Sequence, residues 1–223
     1  MSTIDEVIAL IFDMDGVIVD STPTHTEAWR IYLDRHGLDT ADIADRMLGK
    51  HNDELVRAFF PADRLTAQSI AEHGLQKEAL YREMMASVVE DKLVPGVKEF
   101  IVRNKQNPMA VATNAEPLNV DFVLTAASLR SYFKVVVDGH QVINPKPHPD
   151  VYLRAASMLG YDPANCVVFE DSLTGVEAAR AAGTKVVGVT TTLAAFADVD
   201  MTIRDFFDPK LESWLSEFTV SHS

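Results

Sequence analysis

The apolar run Val7-Ile8-Ala9-Leu10-Ile11-Phe12 ends in Asp13-Met14-Asp15-Gly16, and this junction limits the possible folds more than any other stretch. A run without the polar alternation of a half-exposed strand reads as one buried on both faces, as at the centre of a parallel sheet. The strand delivers one carboxylate at its carboxyl end, and Gly16 lets the following loop carry a second, Asp15, back towards it. That pairing suits a metal ion and a phosphate. Taken alone, Asp-x-Asp-Gly is also a common polar turn that merely closes a strand. The rest of the chain decides between the two.

From Pro23 onward the pattern is helical, with Ser21 or Thr22 as candidate cap. His25, Ala28, Trp29, Tyr32 and Leu33 recur at helical spacing, a second helix passes through Ile43, Met47 and Leu48, and a third through Leu55, Val56, Phe59 and Phe60. A long fourth is expected over 62–89, broken near Gly74. No strand-like run appears before Leu93-Val94-Pro95-Gly96-Val97, where proline and glycine interrupt the helical pattern. Beyond it, strands expected at 109–113, 133–137, 166–170 and 185–189 alternate with helices at 117–127, 150–159 and 173–182. Residues 200–203 read as an edge strand and 210–218 as a last amphipathic helix. Strands alternating with helices signal a parallel sheet covered on both faces. The first strand belongs to that sheet, because nothing in the helical block would pair with it. The expected fold class is therefore α/β, with a three-layer α/β/α core at 1–19 and 94–223 and an α-helical insert at 20–93.

Across 223 residues, 47% apolar composition is ample for a core, and a formal charge of −13 opposes binding to nucleic acid. No stretch of about 18 uncharged apolar residues is present to span a bilayer, and the first residues lack the basic start and apolar segment of a signal peptide. The expectation is a cytoplasmic protein. The single cysteine, Cys166, excludes an internal disulfide and reads as a buried strand residue rather than a nucleophile.

Ligands of open parallel sheets bind outside the carboxyl ends of the strands, and four consecutive strand ends here carry reactive groups. Asp13 closes the first, Thr113 and Asn114 the second, Lys146 lies in Asn144-Pro145-Lys146-Pro147 after the third, and Glu170 with Asp171 closes the fourth. Such a set supports phosphoryl transfer. A carboxylate can attack phosphorus and split one difficult displacement into two, which suits Asp13. A second carboxyl, Asp15, can protonate the departing alcohol and later take a proton from water. Lys146 and the Thr113 hydroxyl would meet the charge on the phosphate oxygens. Mg²⁺ is the natural ion, with Asp13, Asp171, Glu170 and the carbonyl of Asp15 as its candidate ligands.

The motifs Phe12-Asp13-Met14-Asp15-Gly16-Val17, Thr113-Asn114, Lys146-Pro147-x-Pro149-Asp150-x-Tyr152 and Glu170-Asp171-Ser172-x-x-Gly175 occur in this order. With them the chain resembles the haloacid dehalogenase superfamily, in the β-phosphoglucomutase-like subgroup that carries a helical cap after the first strand. The resemblance implies a Rossmann-like core, a monomer, Asp13 as nucleophile, Asp15 as acid and base, Thr113 and Lys146 as phosphate holders, and Glu170 and Asp171 on the metal side. It also implies that the cap reads the substrate. There Leu48-Gly49-Lys50-His51-Asn52-Asp53 matches the family's substrate loop, and His25-x-x-x-Trp29 matches a pair on the first cap helix. Trp29 is expected in the core, whereas His25 would either face the site or pack beneath the cap. Two departures separate this chain from the mutases: Asn52 stands where they place an arginine, and Glu116 where they place a lysine. Losing a cation and gaining an anion weakens any clamp on a second phosphate. The expected activity is hydrolysis of a small phosphorylated metabolite, a sugar or polyol phosphate, with β-phosphoglucomutase as the alternative. A receiver-type signalling module, phosphorylated on aspartate without turnover, fits less well, since receivers are shorter and lack the helical insert.

Overall fold

In the computed structural model, which describes residues 8–47 and 52–220, the opening run forms a strand, β1 (Ala9–Phe12). Val7 of that run, and Leu48, Gly49, Lys50 and His51 of the expected substrate loop, lie outside the described residues. Among the described residues β1 joins β2 (Met109–Ala112), β3 (Val135–Val137), β4 (Cys166–Glu170), β5 (Lys185–Val189) and β6 (Met201–Ile203) in one parallel sheet of order β3-β2-β1-β4-β5-β6. From β1 the chain builds outward through β2 and β3, then crosses back to β4 and builds the other way. The reversal lies between β1 and β4, which is where an α/β sheet opens a binding crevice at its carboxyl edge.

Both faces of β1 are covered, as an unbroken apolar strand requires. Ala9 and Ile11 pack with Val151, Tyr152 and Ala155 of α7 (Asp150–Leu159) and with Ala178 and Ala179 of α8 (Leu173–Ala181). On the opposite face Phe12 stacks on Phe169 with ring centroids 4.7 Å apart. Phe100 of α5 (Val97–Arg103), Phe133 and Phe206 complete this aromatic layer at 6.2, 5.7 and 6.2 Å from the Phe12 ring. Full burial of each such ring contributes about 2 kcal/mol, so the strand that carries the first carboxylate is firmly held on both faces. The remaining helices of the α/β part are α6 (Pro117–Ala126) and α9 (Pro209–Val220).

The chain divides into two compact units, Met1–Asp20 with Glu90–Ser223, and Ser21–Val89. The second unit holds α1 (Thr22–Arg35), α2 (Ile43–Met47), α3 (Asn52–Phe59) and α4 (Ala67–Met85). Trp29 is fully buried there, its ring 5.6 Å from that of Phe59, as its place on the apolar stripe predicts. The expected break at Gly74 is absent. α4 runs through it unbroken and instead starts later than expected, after a short 3-10 turn at Ala62–Arg64, where Thr66 and Ser69 form a reciprocal capping box. Glycine inside a helix costs about 1 kcal/mol relative to alanine. Here it sits against α3, where an added Cβ would lie 3.7 Å from that of Asn52. Among the described residues no helix is long and apolar enough to cross a membrane.

Candidate active site

Asp13 is the first residue beyond β1, and its backbone N–H donates to the carbonyl of Phe169 on β4 at 3.0 Å. The two central strands thus fix the carboxylate's position. Lys146 reaches it from the loop after β3, with Nζ 3.0 Å from Asp13 Oδ1 and 2.7 Å from Glu170 Oε1. The loop is tied back by Asn114, whose Oδ1 accepts from the Lys146 backbone N–H at 3.3 Å. Thr113, also buried, follows β2 with its N–H on the Val137 carbonyl, and its hydroxyl accepts from the Ala115 backbone N–H at 3.2 Å.

Glu170 is fully buried and accepts from Lys146 Nζ and Tyr152 Oη on one oxygen, and from Asp171 N, Ser172 N and Ser172 Oγ on the other. A carboxylate has about four lone-pair directions, so the acceptor capacity of Glu170 is taken up. Ser172 in turn caps α8 by accepting from Gly175 N at 3.0 Å. Gly175 has no alternative, because any Cβ there would overlap the Glu170 carboxylate. Gly16 is constrained twice over. Its φ of +76° belongs to the left-handed region, and a Cβ would overlap the Asp171 carboxylate. The backbone of Asp15 bridges to Val19, while the N–H groups of Ile18 and Val19 converge on the Met14 carbonyl at 2.9 and 3.1 Å. The side chain of Asp15 is partly exposed.

The electrostatics are those of too many acids for one ammonium. Ligand oxygens of Asp13, Glu170 and Asp171 lie within 4.8 Å of one another. Burial raises the Asp13 carboxyl above the ordinary carboxylate range, against the pull of Lys146. Burial, then Glu170, then Asp13 push Asp171 up to about 8. Burial would raise Glu170 too, but Lys146 and the bonds from Tyr152 and Ser172 outweigh it and hold that group below its usual value. Lys146 is correspondingly raised, since Asp13 and Glu170 together overcome its desolvation. An all-oxygen, buried, over-charged set of this kind fits a hard divalent cation. Asp13 and Asp171 have acceptor capacity left for it.

The predicted residues therefore fall into three groups. Asp13, Thr113, Asn114, Lys146, Glu170 and Asp171 come together at the carboxyl edge, with Asp15 on the adjoining loop. Glu116 also lies at this edge, at the start of α6, with its Oε2 3.0 Å from Nε2 of His140. His25 and Asn52 belong to the helical unit. There Lys77, 2% exposed, stands 2.6 Å from Glu78 Oε1, the same oxygen accepts from Asn52 Nδ2 at 2.7 Å, and Lys77 Nζ lies 3.1 Å from His25 Nδ1. Burial and Lys77 push the imidazole of His25 down to about 3, and it stacks on Tyr81 at 3.8 Å. Gly49, Lys50 and His51 lie outside the described residues.

Sequence reasoning gave no role to Lys77 and Glu78. It also missed Thr192, whose hydroxyl donates to Asp171, and it gave Tyr152 no role beyond its place in a motif. Cys166 is buried, and burial with Asp162 pushes its thiol up to about 12, so it stays protonated and unreactive.

Comparison with known proteins agrees with this geometry. Residues 8–183 match the model of the haloacid dehalogenase-like hydrolases. Fructose-1-phosphate phosphatase YqaB of Escherichia coli is 39% identical over 183 residues, covering 81% of this chain and 95% of that protein. Hexitol phosphatase B of the same organism is 33% identical, covering 82% of this chain and 83% of its own. Among solved structures, CbbY from Rhodobacter sphaeroides in complex with phosphate superposes with a TM-score of 0.75 at 26% identity, covering 91% of this chain and 96% of that one.

Proposed function

The chain belongs to the haloacid dehalogenase-like hydrolases, and from that membership we propose that it is a Mg²⁺-dependent phosphatase of sugar or polyol monophosphates, working through an aspartyl-phosphate. One observation carries the reading: Asp13, at the end of the central strand, shares the Lys146 ammonium with Glu170 beside a third buried carboxylate. The carboxylate of Asp13 attacks phosphorus while Asp15 protonates the departing sugar oxygen. Water then attacks the aspartyl-phosphate, with Asp15 now accepting its proton. Lys146 holds Asp13 in line and, with Thr113, meets charge on the transferring oxygens. Asp13, Asp15 and Asp171, with Glu170 behind them, would hold Mg²⁺, which when bound supplies the positive charge that the acids and the phosphate lack.

Hydrolysis is preferred to mutase chemistry because neither mutase cation is present. Asn52 donates to Glu78, and Glu116 faces His140. The substrate class follows the names of the relatives, which act on fructose 1-phosphate and hexitol phosphates. The reading includes a cytoplasmic monomer, supported by a free buried thiol that suits a reducing compartment. Phosphate release measured with Mg²⁺ should be fastest with ketose and hexitol monophosphates and slow with phosphoglycolate and pyrophosphate. β-Glucose 1-phosphate primed by a bisphosphate should give no glucose 6-phosphate. No release from any substrate by the folded protein would overturn the proposal.

Metal dependence has a separate signature in stability. Between an ordinary 3.8 and its raised value of about 8, Asp171 keeps a proton in the folded chain that the unfolded chain has released. Its contribution is therefore complete at the acid end of that window and is lost as pH rises through it. The metal-free protein should melt a few degrees lower at about pH 8 than at about pH 6.5, a window above the one in which His25, held down to about 3, adds stability as pH rises, and millimolar Mg²⁺ should raise the melting temperature far more at the higher pH. An equal Mg²⁺ effect at both would contradict the assignment.

A further inference from the structure

We propose that Tyr152 is a positioning residue for phosphoryl transfer, its hydroxyl sharing the charge on Glu170 Oε1 so that Lys146 stays against Asp13. The inference rests on the reading of Asp13 as nucleophile and adds a member to that machinery through Glu170.

Tyr152 stands in the first turn of α7, fully buried in the apolar cluster with Ala9, Ile11, Ala155 and Val168. A hydroxyl costs free energy in such a place unless it is bonded, and phenylalanine would fill the space without that cost. Among the described residues the hydroxyl has one hydrogen-bond partner: it donates to Glu170 Oε1 at 2.7 Å. That oxygen is also the one Lys146 meets at 2.7 Å, and the ammonium lies 4.8 Å from the centroid of the Tyr152 ring. Tyrosine thus touches both halves of the pair that flanks the nucleophile. Burial and Glu170 keep the phenol well above its ordinary titration range, so it remains a donor.

The physical effect is a balance. Lys146 is divided between Glu170 at 2.7 Å and Asp13 at 3.0 Å. The other Glu170 oxygen is pinned by Asp171 N, Ser172 N and Ser172 Oγ, so the carboxylate does not swing away. Donation from Tyr152 partly satisfies Oε1 and weakens its hold on the ammonium. Without it, the full charge of Oε1 falls to Lys146 alone and draws Nζ from Asp13 towards Glu170.

The test compares wild type with Tyr152→Phe, which keeps the ring and removes the donor. Tyr152→Phe should lower kcat about tenfold, the scale of one hydrogen bond to a charged group, while KM stays within about twofold. Single-turnover phosphoenzyme formation should slow by the same factor. A purely structural loss would instead lower the melting temperature and the active fraction without changing the rate per active site. Glu170→Gln weakens the same bond from the acceptor side, and on that background Tyr152→Phe should cost no more than about twofold. The proposal fails if Tyr152→Phe keeps wild-type kcat, changes KM alone, or costs as much on the Glu170→Gln background as on wild type. A wild-type protein that releases no phosphate would instead remove the parent reading, so the two failures are distinguishable.

Discussion

Asp13→Asn is expected to abolish phosphate release, by at least about a thousandfold, while leaving the fold intact. The amide has nearly the volume of the carboxylate but cannot attack phosphorus. Its neutrality costs the structure little, because burial disfavours charge at this position by more than Lys146 favours it, and Lys146 keeps its pairing with Glu170. Relieving one of three crowded acids should leave the metal-free melting temperature unchanged or higher. Phosphate release, a thermal melt and trapping of the phosphoenzyme check the three parts together. Near-normal turnover in this variant would place the nucleophile elsewhere.

Lys146→Ala is the second large effect, and it differs in kind because both stability and activity suffer. The ammonium is 4% exposed and contacts Asp13 and Glu170 together. Removing it leaves buried carboxylates facing one another, and stripping one partner from a buried pair costs about 3–5 kcal/mol. For a chain of this size that lowers the melting temperature by roughly 10 °C. Turnover should fall by about a hundredfold or more, since a fixed positive group at the transferring phosphoryl is lost. Mg²⁺ should restore part of the melting temperature, by replacing positive charge, but little of the rate, because it does not hold Asp13 in line. Full recovery of turnover with added Mg²⁺ would show that Lys146 only balances charge.

The parts legible in the sequence are those fixed by periodicity or by strand ends. The unbroken run before Asp13 marks a central strand, and the carboxyl-end rule then gathers Thr113, Lys146, Glu170 and Asp171 around it. Gly74 misled because propensity is local, whereas the close approach of α3 that makes a small residue useful there is tertiary. Lys77 and Glu78 went unremarked for the converse reason. A charged pair on an amphipathic helix usually faces water, and only packing against His25 and Asn52 reveals that this one is buried. Tyr152 and Thr192 escaped because hydroxyls carry no periodic signal. Their meaning lies in which carboxylate oxygen they reach.

The order of strands in the sheet also bears on how the protein comes to exist. β1 leaves the ribosome first, yet Leu10 aligns with Met109 on one side and Ala9 with Cys166 on the other. For most of its synthesis the nascent chain carries an apolar strand with at least one unpaired edge, the kind of surface that invites aggregation. The helical unit, Ser21–Val89, is contiguous in sequence and can assemble early from local contacts. The segment that bears Asp13, the proposed nucleophile, must wait for the β4 segment that ends in Glu170. Messages truncated before that segment should yield products that depend on chaperones, while the cluster of Asp13, Glu170 and Asp171 and the last closing edge of β1 are completed in the same event.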